Sequence, residues 1–155
     1  QYADYLSAEH DLENEISLLK EQQFISPAAA DSLNREKLGD FFSGELFGRM
    51  KSCEKLLREQ RFIIEVPAIT LDPSLPDIAA NEPIAVQGIA DCIFIENGGA
   101  VIVDYKTDRV ENEQALIDRY SAQLNLYAKA FEKILNMPIK QKIIYSFHLS
   151  KAITL

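Results

Sequence analysis

The stretch from Ile84 to Lys106 restricts the fold of this chain more than any other part of the sequence. Ile84 to Ile95 is a nearly continuous apolar run that favours a buried strand, and Ala100 to Lys106 is a second one. Between them, Asn97-Gly98-Gly99 is a strong signal for a tight turn, because Asn and Gly tolerate the left-handed backbone that such turns need. The sequence therefore predicts a β-hairpin with its two apolar strands side by side.

Three charged side chains interrupt this hairpin: Asp91, Asp104 and Lys106. Since side chains alternate between the two faces of a strand, Asp104 shares a face with Lys106. By the same alternation, Asp91 shares its face with Gln87, Ile89, Ile93 and Ile95. The hairpin places both aspartates within reach of one side of the sheet, although the turn alone does not fix the register.

Two buried carboxylates repel each other unless a cation lies between them. Mg²⁺ or Mn²⁺ suits such a pair, because both ions prefer oxygen ligands. Lys106 would then hold a positive charge beside the metal, where it orients a water or stabilises charge on a phosphate. The competing interpretation is a strand edge with ordinary surface charges, in which Asp104 caps a turn and Lys106 is solvated. The apolar run Val101–Val103, which leads directly into Asp104, favours burial.

The remaining segments predict a layered fold around the hairpin. The spacing of apolar residues predicts helices up to about residue 56, a strand over Leu57–Ile69, a long helix over Glu111–Leu135 and a last strand over Lys142–Leu149. The order is helices followed by β-β-β-α-β, which predicts an α/β or α+β fold with a mixed sheet.

A polar side chain lies inside the apolar stripe of the long helix. This stripe contains Leu116, Tyr120, Gln123, Tyr127 and Ile134. A core-facing amide needs hydrogen-bond partners, and Asp104, Lys106 or a bound phosphate would provide them. Pairing with the backbone of the core is the alternative.

Composition narrows the class of function. A chain of 155 residues is expected to form one domain. Its net charge of −8 counts against nucleic acid as a partner, but residues 1–99 carry a balance of −10 and residues 100–155 a balance of +2. An anionic polymer would be drawn to the second half, or would need a divalent cation or a basic partner; a merely solubilising acidic surface is the alternative.

Cysteine content and hydropathy exclude other classes. Cys53 and Cys92 are too few for a disulfide framework, a four-cysteine zinc site or an iron–sulfur cluster, and they favour a reducing cytoplasm. No apolar run approaches the roughly 18–20 residues of a membrane span, so no membrane partner is expected.

Three motifs resemble those of the RecB-like nucleases of the PD-(D/E)XK superfamily, and in particular the C-terminal nuclease domains of AddA-type (RexA-type) helicase–nucleases. The motifs are Gln87-Gly88-Ile89-Ala90-Asp91, Asp104-Tyr105-Lys106-Thr107-Asp108 and Gln123-Leu124-Asn125-Leu126-Tyr127. Arg58-Glu59-Gln60-Arg61-Phe62, followed by Pro67-Ala68, resembles the segment before the family's catalytic hairpin. The likeness covers essentially the whole chain.

This resemblance implies a restriction-endonuclease-like mixed β-sheet flanked by helices. Residues 1–155 are expected to form a single RecB-like nuclease domain, with a helical segment over 1–56 and a β-β-β-α-β catalytic core over 57–155. The chain begins at Gln1 rather than Met, and we expect it to be a fragment of a larger protein.

The resemblance also implies a role for each motif. Asp91 and Asp104 would bind the Mg²⁺ or Mn²⁺ ion, the backbone carbonyl of Tyr105 would complete the site, and Lys106 would be the catalytic lysine. The implied reaction is the hydrolysis of DNA phosphodiesters by a metal-activated water, as in an exodeoxyribonuclease.

Further residues are implied to act around this centre. Gln123 and Tyr127, with Tyr120 one turn earlier, would support the site or contact the DNA strand, and Glu59 matches a family acid near the site. The whole protein is implied to be a helicase–nuclease that functions in double-strand-break repair and recombination with an AddB-type partner. ATP is implied only for the helicase part.

The chain departs from the family pattern in one respect. The family carries a metal-binding histidine in a G-T-x-x-H block, which is absent from this sequence. His10 lies past the position of this block and is expected to be solvated, and His148, on the last predicted strand, has no counterpart in the family either. We therefore expect the isolated chain to be weakly active or inactive until the missing segment is restored.

Three other assignments compete with this one. AddB-type proteins and the CRISPR-associated RecB-like exonucleases usually need four cysteines for an iron–sulfur cluster, and this chain has two. A degenerate, non-catalytic DNA-binding or subunit-docking module would have no reason to retain clustered carboxylates, whereas Asp91, Asp104 and Lys106 are all present. A plain soluble domain with incidental charges is the remaining alternative.

Overall fold

The structure is a computed structural model that describes residues 12–155. Its helices are α1 (Leu12–Glu21), α2 (Pro27–Asp31), α3 (Arg35–Ser43), α4 (Glu45–Ser52), α5 (Asp77–Ala80) and α6 (Glu113–Leu135). Its strands are β1 (Lys55–Pro67), β2 (Pro83–Glu96), β3 (Gly99–Lys106), β4 (Ile139–Ser146) and β5 (Lys151–Thr154). His10 lies outside the described residues.

Local sequence chemistry accounts for the boundaries of the central elements. Asn97 and Gly98 adopt positive φ angles of 50° and 73° in the turn between β2 and β3, which is the backbone that the Asn-Gly signal favours. The side chain of Asn112 accepts a hydrogen bond from the amide of Ala115 at 3.1 Å and caps α6. At its other end, α6 stops at Asn136, whose left-handed φ of 51° ends the helix.

The five strands form one mixed sheet in the order β1-β2-β3-β4-β5. Strands β3 and β4 are parallel and are connected through α6, while the other neighbouring strands are antiparallel. The predicted α/β fold with a mixed sheet flanked by helices is therefore confirmed. The sequence prediction lacked β5: the last predicted strand ends at Ser146, and Leu149 lies in the turn that leads to β5.

Each face of the sheet carries its own apolar cluster. The first, here called the helical-side cluster, joins α1–α4 to one set of strand residues, namely Cys92, Phe94, Val101, Val103, Ile143 and Tyr145. The second, the α6-side cluster, joins α6 to the alternate set, namely Ile93, Ala100, Ile102, Ile144 and Ile153. The central strands are thus buried between helices on both sides, whereas the outer half of the β1–β2 pair is largely exposed.

The predicted alternation along β2 is wrong in its first half. Gln87 and Ile89 are exposed, whereas Ile93 is fully buried in the α6-side cluster. Ala90 belongs to that same cluster although it lies an odd number of positions from Ile93, so the pleat is interrupted between them. The neighbouring strand is irregular at the same level, because Glu59 has a φ of 48° between the pairs Arg58–Cys92 and Gln60–Ala90.

The buried stripe of α6 also differs from the prediction at its end. Leu116, Leu124, Ala130 and Phe131 are buried, whereas Ile134 is 52% exposed. The stripe is centred nearer to Leu124 and Phe131 than the sequence pattern indicates, which leaves Ile134 at its margin.

No helix within residues 12–155 has the length and apolar character needed to cross a membrane.

Candidate functional site

The last residues of β3 carry charge on one face only. Ile102 faces the α6-side cluster, and Asp104 and Lys106 follow it on the same face, while Val103 and Tyr105 pack on the helical side. Asp104 is 3% exposed, so its carboxyl group lies in the interior. The alternation of side chains along β3 therefore places the charged pair Asp104 and Lys106 at the edge of the α6-side cluster.

The pairing between β2 and β3 ends next to Asp91. The ladder between these strands runs from Glu96–Gly99 to Cys92–Val103, and the next residues in this register are Asp91 and Asp104. Beyond that point the backbone amide of Tyr105 donates a 2.9 Å hydrogen bond to Asp91 Oδ2, so a carboxylate takes the place of a main-chain acceptor. Asp91 thus lies next to Asp104 at the point where the two strands separate.

Asp104 and Lys106 form an ion pair that is largely shielded from water. Lys106 Nζ lies 2.6 Å from Asp104 Oδ2, and the exposed fractions of the two side chains are 16% and 4%. Burial raises the pKa of Asp104, with the negative charges of Asp91 and Asp108 adding to the effect and Lys106 opposing it. Burial also favours the neutral amine of Lys106, but the pairing with Asp104 outweighs it and raises the pKa of Lys106. Lys106 is therefore a fixed positive charge at neutral pH.

A second cluster holds Lys106 from the side of α6. The Lys106 ammonium lies 4.3 Å from the centre of the Tyr120 ring, within the range of a cation–π contact. Tyr120 Oη lies 3.0 and 3.1 Å from the two carboxylate oxygens of Asp108 and donates its hydrogen bond to them. Arg119 Nη1 donates to Asp108 Oδ1 at 2.6 Å. The hydrogen bond from Tyr120, together with Arg119, lowers the pKa of Asp108.

Sequence reasoning did not assign a role to Asp108 or Arg119. Asp108 enters the sequence pattern only as the last residue of its motif, and its partners lie 11 and 12 positions away on α6. The available signal was the spacing of two acids around Lys106, but it does not show which of them faces Tyr120.

Gln123 finds its partner on its own helix. Its Nε2 donates a 2.8 Å hydrogen bond to Tyr127 Oη, one turn further along α6. Within residues 12–155, the partner of this amide is therefore Tyr127, and neither Asp104 nor Lys106 nor a backbone group takes its place. Both Gln123 and Tyr127 are half-buried, so the pair lies at the margin of the α6-side cluster.

Gly88, in the first motif, is explained by the ring of Tyr127. A Cβ atom at Gly88 would lie 2.8 Å from the Phe62 ring and 3.2 Å from that of Tyr127. These two rings pack edge to face over this point of β2, with centroids 5.0 Å apart. The absence of a side chain at Gly88 therefore connects the first motif to the third, a relation that the sequence pattern did not show.

The structure does not bring every candidate to this centre. Glu59 lies at the register level of Asp91, but its side chain is exposed. His148 is exposed in the turn between β4 and β5, so its predicted position on the last strand is wrong. The ring of Tyr105 packs edge to face on Phe41 on the opposite side of the sheet, so only its main chain lies beside Asp91.

The donor set suits a hard divalent cation. Among residues 12–155, no three His, Cys, Asp or Glu side chains are grouped to hold a metal ion. Asp91 and Asp104 supply oxygen, and the buried Oδ2 atom of Asp104 has the Lys106 ammonium as its charged neighbour at 2.6 Å. Mg²⁺ is typically held by one or two carboxylates, with waters and substrate phosphates as its other ligands, so these residues fit such an ion better than Zn²⁺.

Comparison with known proteins gives a consistent picture. The family model of the PD-(D/E)XK nuclease superfamily matches residues 4–152. The A subunit of the ATP-dependent helicase/nuclease of Clostridium novyi (strain NT) is 35% identical over 98% of this chain. The proteins of the same name from Desulforudis audaxviator (strain MP104C) and Clostridium perfringens (strain SM101 / Type A) are 40% and 36% identical over 84% and 91% of it.

This chain spans only 11–12% of the length of these three relatives. The family match, by contrast, extends over nearly all of the chain and includes every motif residue described above. The mixed five-stranded sheet flanked by helices is the restriction-endonuclease-like fold that the resemblance implied. The chain therefore belongs to the PD-(D/E)XK nuclease superfamily.

Proposed function

We propose that this chain is a Mg²⁺-dependent exodeoxyribonuclease domain from the A subunit of an ATP-dependent helicase/nuclease, and that residues 1–155 form one nuclease domain. The observation that carries this proposal is the convergence of Asp91 and Asp104 at the point where β2 and β3 separate, with Lys106 beside them. In a purely structural core, two carboxylates at this position would cost free energy of burial without any compensating gain.

We assign the metal to Asp91, Asp104 and the backbone carbonyl of Tyr105. When bound, a divalent ion supplies positive charge that acidifies a water and neutralises a phosphate oxygen. Asp91 is fixed by the amide of Tyr105, so one ligand is oriented in advance. Lys106 keeps its proton next to Asp104 and so offers an ammonium to the charge that grows on the phosphate.

The margin of α6 provides a path for the DNA strand. Gln123 lines a groove of about 420 Å³ between α6 and the turn after β1, together with Thr70, Leu71, Asn125 and Lys129. Its amide and the ammonium of Lys129 can donate hydrogen bonds to a phosphodiester backbone. Tyr127, held by Gln123, has its ring over Gly88 and faces the same margin.

The charge distribution favours delivery of DNA by a motor. The first 99 residues carry a balance of −10, so the isolated domain has little electrostatic attraction for DNA. We propose that the parent protein supplies single strands by ATP-driven unwinding in the cytoplasm, with an AddB-type partner, during double-strand-break repair and recombination. The relatives, which are named as ATP-dependent helicase/nucleases, support this context.

Titration with Mn²⁺ tests the metal site independently of cleavage. Isothermal calorimetry of the chain should show Mn²⁺ binding that Asp104→Asn and Asp91→Asn each abolish. Asp118→Asn is the matched control, since this carboxylate of α6 accepts an exposed hydrogen bond from Gln114 on its own helix. Unchanged Mn²⁺ binding in Asp104→Asn would contradict the proposal.

Cleavage by the full-length protein tests the reaction. Asp91→Asn, Asp104→Asn and Lys106→Ala should each lower single-strand degradation by at least about 100-fold, the usual cost of removing a group that stabilises the transition state. If the unmodified protein binds DNA but neither binds Mn²⁺ nor cleaves, this result would instead support the non-catalytic DNA-binding module.

A further inference from the structure

We infer that Asp108 is a positioning residue for the proposed nuclease reaction: through Tyr120 it fixes the ammonium group of Lys106 beside Asp104. This inference rests on the proposed function, because it concerns the placement of the lysine to which that proposal gives a chemical role. It adds Asp108 and Arg119, which act through Tyr120, and it gives these three connected residues a distinct experimental signature.

Lys106 needs these contacts because its side chain is long and flexible. A lysine side chain loses rotamer entropy when it is confined to one conformation. Lys106 is the last residue of β3, and the Asp104 carboxylate holds its ammonium on one side. The face of the Tyr120 ring, 4.3 Å from Nζ, limits the ammonium on another side.

The ring of Tyr120 is in turn fixed by Asp108. Its hydroxyl lies at hydrogen-bond distance from both carboxylate oxygens, so rotation of the ring away from Lys106 would break this contact. Asp108 is itself held by the guanidinium of Arg119 at 2.6 Å. The chain of contacts runs from Arg119 to Asp108, to Tyr120 and to Lys106, and it joins the loop after β3 to α6.

A purely structural role for Asp108 is poorly supported by its surroundings. The start of α6 is capped by Asn112, so the helix does not depend on Asp108 for its N-cap. The ion pair between Arg119 and Asp108 has side chains that are 55% and 27% exposed, and exposed ion pairs contribute little to stability. The contact that remains to be explained is the hydrogen bond that orients Tyr120.

A role for Asp108 as a third metal ligand is also disfavoured. Both of its carboxylate oxygens already face donors, Tyr120 Oη and Arg119 Nη1. Within residues 12–155, Asp108 is not grouped with Asp91 and Asp104 in a way that would hold an ion. Measurement of Mn²⁺ affinity separates this alternative from the positioning role.

Four variants of the full-length protein test the inference: Asp108→Ala, Asp108→Asn, Tyr120→Phe and the double variant Asp108→Ala/Tyr120→Phe. The readouts are the single-turnover cleavage rate at saturating DNA, the DNA concentration at half-maximal rate, and Mn²⁺ affinity by calorimetry. Asp118→Ala, on the exposed side of α6, is the matched control that should leave all three unchanged.

We expect Asp108→Ala and Tyr120→Phe each to lower the cleavage rate by roughly 10-fold, with DNA and Mn²⁺ affinities within about twofold of the unmodified protein. Because both residues act through one hydrogen bond, the double variant should be no slower than the slower single variant. Asp108→Asn should restore most of the rate, since its amide oxygen still accepts from Tyr120.

Several results would overturn the inference. They are an unchanged rate in Asp108→Ala, multiplied losses in the double variant, a loss of Mn²⁺ affinity, or no rescue by Asp108→Asn. If Asp108→Ala does not fold, Tyr120→Phe, which keeps the ring, provides the decisive rate. Failure of the proposed function is distinguishable, because Asp104→Asn would then retain Mn²⁺ binding and cleavage whatever the Asp108 variants do.

Discussion

The two faces of the sheet differ in what they bury. On the helical side, Phe41 contacts five other rings, with centroids 4.7–5.7 Å away: Phe42, Phe47, Tyr105, Tyr145 and Phe147. On the α6 side, the apolar cluster ends at Asp104. Two buried polar side chains, Asp104 and Ser146, belong to this face and lie towards the ends of the neighbouring strands β3 and β4.

This difference shows how one strand serves two purposes. The side chains of Val101, Val103 and Tyr105 of β3 pack on the helical side, while those of Asp104 and Lys106 alternate with them and carry charge on the α6 side. Packing on the helical side holds β3 in place without help from the other face. The α6 side can therefore carry the two carboxylates of Asp91 and Asp104 at its edge. Stability and activity should therefore respond to different substitutions, and the following experiments test that separation.

The largest effect is expected from Phe41→Ala on the helical side. Phe41 is 1% exposed, and truncation of such a ring should lower the free energy of unfolding by about 3–5 kcal/mol. Urea unfolding measures this change, with Ile78→Ala, at an 89% exposed position, as the control that should remain within about 0.5 kcal/mol. Mn²⁺ affinity of the folded fraction should be unchanged; a large loss would show that the two faces are coupled.

Lys106→Met on the α6 side should show the opposite pattern. Loss of the ammonium should slow cleavage by about 100- to 1000-fold, the cost of losing one group that stabilises transition-state charge. The free energy of unfolding should change much less than in Phe41→Ala, because Asp104, with its raised pKa, can take up a proton when its partner is removed. Lys20→Met, on the exposed face of α1, is the control for loss of a lysine charge. Retention of cleavage in Lys106→Met would contradict the division of roles.

A smaller effect is expected from Gly88→Ala. The new Cβ would meet the rings of Phe62 and Tyr127 at 2.8 and 3.2 Å, and overpacking of this kind costs about 1–3 kcal/mol. Gly39→Ala is a control of opposite sign, because Gly39 lies in α3 with nothing within 4 Å of its Cβ position, and alanine there favours the helix. Thermal unfolding should separate the two; equal shifts would rule out the packing explanation for Gly88.

The features that sequence reasoning found are those that local chemistry determines. The Asn97-Gly98 turn sets the hairpin, and the apolar periodicity over Glu111–Leu135 indicates α6. Alternation along β3 also placed Asp104 and Lys106 on one face, next to each other. These signals act within a few residues, so a single sequence contains them.

The features that it missed depend on contacts between segments. The interrupted pleat between Ala90 and Ile93 arises where β2 leaves β3 and where Glu59 disturbs β1, which no periodicity within β2 records. The hydrogen bond between Tyr120 and Asp108 joins a loop residue to a helix residue that lies 12 positions later in the sequence. The role of Gly88 likewise depends on where the ring of Tyr127 comes to lie.

The smallest effect concerns an ionisable group buried on the helical side, Tyr145. Burial raises its pKa to about 12, with the charge of Asp40 adding to the shift. Between about pH 10 and pH 12 the unfolded chain ionises this phenol while the folded protein keeps it neutral, so the free energy of unfolding falls as the pH rises. At about 1.4 kcal/mol per pKa unit, the loss attributable to Tyr145 is about 1 kcal/mol at pH 10.5 to 11 and is nearly absent at pH 8.

Tyr145→Phe isolates this contribution because phenylalanine fills the same space without an ionisable group. Urea unfolding at pH 8 should differ little from that of the unmodified protein, whereas at pH 10.5 to 11 the variant should lose less stability. Other tyrosines and lysines titrate in both proteins, so the difference between the two pH profiles is the quantity that matters. Identical profiles would mean that the phenol of Tyr145 reaches solvent as the pH rises, and that the helical side is less sealed against charge than its aromatic packing implies.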